Sequence, residues 1–237
     1  MRIRRKTEDS NQENIFWVTM SDLFLGMFMV FATLFFAFVT NSGQGNGAAQ
    51  EATQEMVQEV VKEMSKQNIK VKMINEDKPE APKPNERIDV EIDPQTGLVR
   101  ISNLQLFALN SSELTPSGRA FLNKFIPVYF DCIYKKDLSK YVSSVVIQGH
   151  TDTTNFKGNY TVEQQYMKNM ELSLNRAYEV ANYMTNTPYN KENGDRLRKM
   201  IIVEGASFSE PIIENGKENF DKSRRVELKV TLKSNNS

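Results

Sequence analysis

The amino-acid sequence predicts an α+β protein in three parts: a single transmembrane helix near the amino terminus, a linker helix, and a carboxy-terminal two-layer α/β domain. Three observations carry that prediction. Residues 16–39, FWVTMSDLFLGMFMVFATLFFAFV, are almost wholly apolar and long enough to cross a bilayer as a helix. Between residues 49 and 67, Ala49, Ala52, Met56, Val60 and Met64 recur at helical spacing, with Val57 and Val61 beside them. From residue 87 onward, hairpin, helix, strand, helix, strand and strand patterns follow one another, the sequence of a sheet with helices packed on it.

The apolar run is too long and too rich in phenylalanine for a cleaved signal peptide. It tolerates one acid, Asp22, on energetic grounds. Strongly apolar residues contribute about −0.3 to −0.6 kcal/mol each at the helix centre, against a cost of about +2.5 to +3.5 kcal/mol for an aspartate. Arg2, Arg4, Arg5 and Lys6 precede the run, and no charge follows it until Glu51. The basic flank predicts that residues 1–14 stay in the cytoplasm, that residues 15–40 span, and that everything after Thr40 lies on the far side.

Stepping from Asp22 by three or four residues gives Thr19, Gly26, Thr33, Ala37 and Thr40, with Ser21 adjacent, a narrow seam of small and polar residues along one face. Such a seam faces protein rather than lipid. Asp22 then has two readings, an interhelical hydrogen bond that holds two helices together, or a station on an ion or proton path.

Residues 41–86 read as a connection: a small, flexible stretch, NSGQGNGA, then the amphipathic helix, then the proline-rich NEDKPEAPKPNE, a stiff solvated linker. The helix stripe suits a coiled coil between two copies, the membrane surface, or a plug over a channel.

In the domain at 87–237, RIDVEIDPQTGLVRIS reads as a hairpin, and Thr115 with Pro116 starts a helix. YVSSVVIQGH reads as a buried strand, residues 163–184 as a long helix, and KMIIVEGAS and RRVELKVTL as strands. Thirty basic and thirty acidic residues balance to zero net charge, which excludes a global field for nucleic acid. One cysteine, Cys132, and one histidine, His150, leave no His/Cys cluster for a metal. Cys132 is expected to be buried, with a disulfide between two copies as the alternative. No nucleophile–base pair or phosphate loop is evident, so no enzyme reading is supported.

The segments VVIQGHTDTT, NMELSLNRAYEVANYM, VEGASFSEPIIEN and SRRVELKV resemble, in order and spacing, the OmpA-like peptidoglycan-binding domain, whose signature is GHTD, NxxLSxxRAxxV, a glycine-containing strand end and NRRVE. The resemblance covers residues 87–232. It implies that Asp152 and Arg176 bind the zwitterionic end of diaminopimelate in a peptidoglycan stem peptide. A carboxylate can accept from the ligand ammonium, and a guanidinium fork can hold its carboxylate. Thr151, Asn169 and Arg225 occupy further signature positions. On the residues alone, Asp152 and Arg176 could instead pair with each other, and Arg224 and Arg225 could brace a strand. Two departures stand out: the stretch between Asp152 and Asn169 is longer than usual, and Ser223 replaces the usual asparagine before the arginine pair.

A single span carrying an acid, a connecting helix and such a domain is the plan of MotB-like stator subunits, a superfamily that includes ExbD and TolR. That resemblance implies a homodimer inside a ring of MotA/ExbB-type membrane subunits in the bacterial inner membrane. Asp22 would carry the driving proton or sodium ion, with no other cofactor, and the periplasmic domain would anchor the unit to the wall. The pattern W-x-x-x-S-D-L-x-x-G-M-x-M-V-F resembles the ZorB subunits of Zorya anti-phage defence, which implies a ZorA-like ring. A flagellar MotB-type role and a passive tether without ion flow are the alternatives.

Overall fold

A computed structural model describes residues 4–74, 89–134, 139–187 and 194–233, with side chains of the first helix described in part. The chain divides into two compact units, Met1–Ala48 and Ala49–Ser237. Helix α1, Arg4–Lys66, contributes residues to both.

In the first unit the whole of the run 16–39 is helical. Its described apolar side chains, among them Trp17, Phe24, Phe28, Phe31 and Phe35, are largely exposed. Two seam hydroxyls turn back on the helix itself: Ser21 Oγ donates to the Trp17 carbonyl at 2.8 Å, and Thr33 Oγ1 contacts the Met29 and Val30 carbonyls at 3.0 and 2.9 Å. A Cβ added at Gly26 would meet nothing within 4 Å. The side chains of Thr19 and Asp22 lie outside the described residues. Among the described residues, no helix is long and apolar enough to cross a membrane. The fold therefore supports the helix over this run, and the span remains an expectation from sequence.

The second unit is a mixed sheet with helices packed against it. After α1 come β1 (Val71–Met73), β2 (Val90–Ile92), β3 (Val99–Ser102) and the short α2 (Asn103–Leu106). Next are α3 (Pro116–Tyr134), β4 (Val142–Gly149), α4 (Val162–Asn186), α5 (Gly194–Met200) and β5 (Ile201–Gly205). A two-stranded hairpin, β6 (Ile213–Glu214) and β7 (Lys217–Glu218), precedes α6 (Phe220–Ser223) and β8 (Arg225–Leu232). The main sheet runs β1-β2-β3-β8-β4-β5. Strands β1 and β2, like β4 and β5, pair in parallel, and the other neighbours are antiparallel.

Local chemistry sets the helix starts. Thr115 Oγ1 accepts from Gly118 N at 3.0 Å, so the expected cap of α3 is in place. Helix α4 begins with a capping box, in which Gln164 N donates to Thr161 Oγ1 at 3.3 Å and Thr161 N donates to Gln164 Oε1 at 2.9 Å.

The two faces of the sheet differ in kind. On one face Val226, Leu228, Ile147 and Ile101 join Phe121, Phe125, Tyr129 and Phe130 of α3 and Val180 and Met184 of α4 in one buried cluster. On the other face a polar row crosses five strands, with Glu91 opposite Arg100, Arg100 opposite Glu227, Glu227 opposite Gln148 and Gln148 opposite Glu204. Arg100 Nε lies 3.0 Å from Glu227 Oε1, and Gln148 Nε2 donates to Glu204 Oε2 at 3.0 Å, so opposite partners across strands satisfy one another.

The connecting region differs from expectation. The apolar stripe of the 49–66 segment is turned neither to a membrane nor to another copy: Met56, Val57, Val60 and Met64 are buried members of the domain's own core. The segment rests on the β2–β3 turn, where a Cβ at Gly97 (φ +69°) would come within 3.1 Å of Met56 Cε and Thr53 Cγ2. Gln54 Nε2 donates to Gln95 Oε1 beside it at 2.9 Å. Compact packing thus starts at Ala49 rather than at residue 87. The proline-rich stretch read as a linker, residues 75–86, lies outside the described residues, but its flanks are paired strands, with Val71 opposite Val90. It is an internal connection of the domain. Cys132 is buried within α3, as its apolar surroundings predict.

Helix α4 crosses the sheet at its closest point over two glycines paired side by side, Gly149 and Gly205. A Cβ at Gly149 would lie 1.9 Å from the Ser173 carbonyl oxygen, and one at Gly205 would lie 2.9 Å from Leu174 N. Both obstacles are backbone, so no rotamer change relieves them. Gly149→Ala is therefore expected to destabilise the protein by about 3 kcal/mol or more, read as a shifted midpoint in chemical denaturation.

Candidate functional site

The depth of α4 over the glycine pair decides what stands at the carboxyl end of β4. Ser173 is wedged there, its Oγ accepting from Ser207 N at 3.0 Å and donating to the Met170 carbonyl at 2.8 Å. Asn169 and Arg176 lie one turn before and one turn after it, on the same face of the helix. Past β4 the chain is pinned by two backbone bonds, His150 N to Arg225 O at 2.9 Å and Thr151 N to Ser207 O at 2.8 Å. These place Asp152 facing Arg176 across a cavity.

That cavity has a volume of about 640 Å³ and is lined by Thr151, Asp152, Asn169, Arg176 and Arg224, with Leu109 and Asn110 on one wall and the 154–157 stretch on the other. The long segment after Asp152 is thus a wall of the site. Gln165 fastens it to α4, accepting from Phe156 N at 2.8 Å and donating to Phe156 O at 3.0 Å. The Lys168 ammonium sits over the Tyr160 ring at 4.4 Å. Asn169 Nδ2 donates to the Gln165 carbonyl at 3.1 Å, which ties it to the same support.

Arg176 is 1% exposed. Its Nε donates to the Ser111 carbonyl at 2.9 Å, and its guanidinium lies over the Phe107 ring at 5.7 Å. Burial and the nearby Arg224 charge push its pKa down to about 10, with Asp152 pulling the other way, so it stays cationic at neutral pH. Asp152 does not pair with Arg176. Its Oδ2 accepts from Arg224 Nη1, and its Oδ1 accepts from Thr154 N at 3.1 Å. Arg224 reaches Asp221 through Nη2. Among the described residues, Thr151 Oγ1 and Arg224 Nε are buried and have no hydrogen-bond partner.

Arg225 is the residue whose expected place changes. It is 4% exposed and does not line the cavity. Its Nε donates to Glu227 Oε1 at 2.7 Å, and its Nη1 donates to the Glu210 and Ser223 carbonyls at 3.1 and 3.2 Å. Strand parity explains this: Val226 and Leu228 face the helices, so Arg224 falls on their side and Arg225 on the other. The same alternation in SRRVELKV is the signal by which Arg224 is legible in sequence. Nothing in the sequence pattern marks Leu109 or Asn110, which arrive from a separate loop.

Behind the cavity, His150, Glu210 and Glu227 bring possible metal-ligating atoms within 4.8 Å of one another. The surrounding cations decide against a metal reading. Glu227 already meets Arg225 at 2.7 Å, Arg100 at 3.0 Å and Lys229 at 3.2 Å. For Glu227, burial alone would raise the pKa, but the His150 imidazole and the Arg225 guanidinium beside it outweigh burial and hold the carboxyl well below the usual range. His150 Nε2 lies 3.5 Å from Glu227 Oε2, too long for a good hydrogen bond. Burial keeps the imidazole's pKa below its ordinary value, and it is neutral at pH 7.

Residues 106–225 match the family model described as the OmpA family. A Zorya protein ZorB from Escherichia coli strain Crooks is 30% identical over 230 residues, which cover 96% of this chain and 92% of that protein. A second ZorB, from an Escherichia coli ETEC strain, is 22% identical over 232 residues, covering 95% and 84%. In structure, a MotB-like protein from Desulfovibrio vulgaris superposes with a TM-score of 0.51 at 18% identity, covering 77% of this chain and 96% of that one, a likeness of fold. The chain belongs to the ZorB family and carries an OmpA-family domain.

The buried histidine makes acid sensitivity measurable. With the folded pKa lowered, the native state binds fewer protons than the unfolded chain just below pH 6.5, so the contribution is complete above about pH 6.5 and lost as pH falls beneath it. Glu227 also has a lowered folded pKa, but its contribution fades only in the more acidic carboxylate range. The denaturation midpoint should drop between pH 7.5 and 5.5, and His150→Gln should flatten that slope whatever its effect at pH 7.5.

Proposed function

We propose that this protein is the wall-anchored, ion-carrying subunit of an inner-membrane motor of the Zorya defence type. The observation that carries the reading is the cavity at the end of β4, where Asp152, Arg176 and Arg224 converge inside an OmpA-family domain of a ZorB-family chain. Membership of that family and the acid within residues 16–39 support a single span with the amino terminus in the cytoplasm and the domain in the periplasm.

In this reading the domain holds peptidoglycan through a diaminopimelate-containing stem peptide. Arg176 meets a carboxylate, Asp152 supplies the opposing charge, and Thr151 and Asn169 complete the floor. The wall is a fixed support. Within the membrane, two copies of the helix sit in a ZorA-like ring and Asp22 carries a proton or sodium ion, with Thr19, Ser21, Gly26 and Thr33 along its seam. Ion passage then moves the ring against the anchored dimer. A flagellar MotB-type stator has the same parts, but family membership favours defence. A passive tether uses the cavity alone and gives Asp22 no task.

The anchor and the ion step are tested separately. Full-length protein in detergent should co-sediment with purified peptidoglycan sacculi, and Asp152→Ala with Arg176→Ala should weaken binding by roughly tenfold or more. Unchanged sedimentation overturns the wall site. In cells carrying the complete defence operon, Asp22→Asn should abolish phage protection while leaving the amount of protein in the membrane fraction and its sedimentation with sacculi intact. Full protection by that variant would leave the tether.

A further inference from the structure

His150 is fully buried at the carboxyl end of β4, one residue ahead of Thr151, where the lining of the cavity begins. Among the described residues, neither of its ring nitrogens has a hydrogen-bond partner, and Glu227 Oε2 stands 3.5 Å from Nε2. The neutral ring is left unsatisfied. Charge surrounds it from three elements: β8 brings Glu227, Arg225 and Lys229, β3 brings Arg100 to the same carboxylate, and the segment after β5 brings Glu210. Two residues back along β4, Gln148 is tied to Glu204 of β5. Past Thr151 come the charges of the cavity, Asp152, Arg176 and Arg224.

Arg225 connects this cluster to the cavity. Its backbone carbonyl accepts from His150 N at 2.9 Å, while its guanidinium donates to Glu227 Oε1 at 2.7 Å and to the Glu210 and Ser223 carbonyls at 3.1 and 3.2 Å. Glu210 follows Ser207, whose carbonyl holds Thr151 N at 2.8 Å, and Ser223 directly precedes Arg224. A proton on the ring puts an N–H on both nitrogens and adds a fourth cation around Glu227. The imidazolium competes with Arg225 for that carboxylate, and the Glu210 carboxylate, half-exposed on its own segment, is the next acceptor within reach. Either rearrangement loosens bonds that place Thr151 and Arg224. Burial already disfavours the charged ring.

We propose that His150 is an acid-sensing group for the wall site, and that the proton it takes from solvent in mildly acidic surroundings weakens the domain's hold on the stem peptide. This regulation rests on the reading that the cavity takes that peptide. The pinned cavity is the form in which His150 is neutral, so ligand and proton oppose each other. Their opposition is reciprocal: acid weakens binding, and bound peptide makes the ring harder to protonate. Glu227, held well below the usual carboxylate range, stays charged while the ring titrates.

The test uses full-length protein in detergent, without a histidine tag, and the alanyl-glutamyl-diaminopimelate tripeptide acetylated at its alanine amine, which would otherwise titrate close to the range used. Isothermal titration calorimetry should show binding roughly threefold or more weaker at pH 5.0 than at pH 7.5, with the loss falling below about pH 6.5. The chain has a single histidine, so NMR of protein labelled at the imidazole carbon follows its titration directly and needs no variant to fold. Saturating peptide should lower that titration midpoint by about half a pH unit or more, the same coupling seen from the other side. His150→Gln should bind the peptide with affinities within about twofold of each other at the two pH values. If the peptide binds as well or better at pH 5.0, if the midpoint does not respond to saturating peptide, or if His150→Gln keeps the acid loss, the assignment is overturned while the wall reading stands. If the unaltered protein binds no peptide at pH 7.5 and does not sediment with sacculi, the wall reading fails and takes this assignment with it.

Discussion

The approach of α4 to the paired glycines of β4 and β5 is the constraint on which the rest of the site depends. A helix normally rides on side chains, and here it rides on backbone: the Ser173 carbonyl occupies the space a Cβ of residue 149 would need. That depth lets Ser173 Oγ capture Ser207 N, which in turn leaves Ser207 O to hold Thr151 N. Helix, strand end and following loop are locked by two atoms of one serine. Asn169 and Arg176 have no freedom to be elsewhere, because a helix fixes both their spacing and their face. Three of the four segments that resemble the family signature are the three parts of this one contact. GHTD supplies the glycine and the acid, LSxxRA the serine and the arginine, and VEGAS the second glycine with Ser207.

Much of this was legible in sequence because it depends on local rules. Strands β2, β3, β4, β5 and β8 and helices α3 and α4 follow from alternation, helical spacing and a Thr-Pro start. What was not legible depends on pairing at a distance. Strand β1 has only three residues and exists because β2 lies beside it. The hairpin of β6 and β7 is shorter still, too short for any periodicity to register. At the site, Asp152, Arg176, Asn169 and Thr151 all line the cavity. The pairing of Asp152 was not legible, since which of several arginines reaches a carboxylate is a question of three-dimensional approach. Parity along β8 separates Arg224 from Arg225, and it was available in the sequence to be used.

The stripe of residues 49–66 carries a related lesson. An amphipathic helix announces that it will bury one face but not against what. Met56, Val60 and Met64 found their partners in the same chain because the β2–β3 turn offers a glycine, Gly97, that lets the helix settle close. Behind the sheet, the Glu227 cluster shows the opposite economy. A carboxylate that is 2% exposed is held by three cations, Arg225 and Lys229 of its own strand and Arg100 of the neighbouring β3, so its buried charge is compensated from several sides at once.

Placing the proline-rich stretch between two paired strands alters how length is controlled in this molecule. In a tethered device the reach from bilayer to anchor matters, and prolines are an obvious spacer. Here the stretch connects two strands that pair with each other, and the covalent path from residue 40 to the first core residues is the segment ahead of Ala49. Insertions among the prolines would lengthen a connection within the domain and leave that path untouched. If the domain is the anchor proposed above, a pull along the chain would reach it through Met56, Val60 and Met64, which belong to its hydrophobic core.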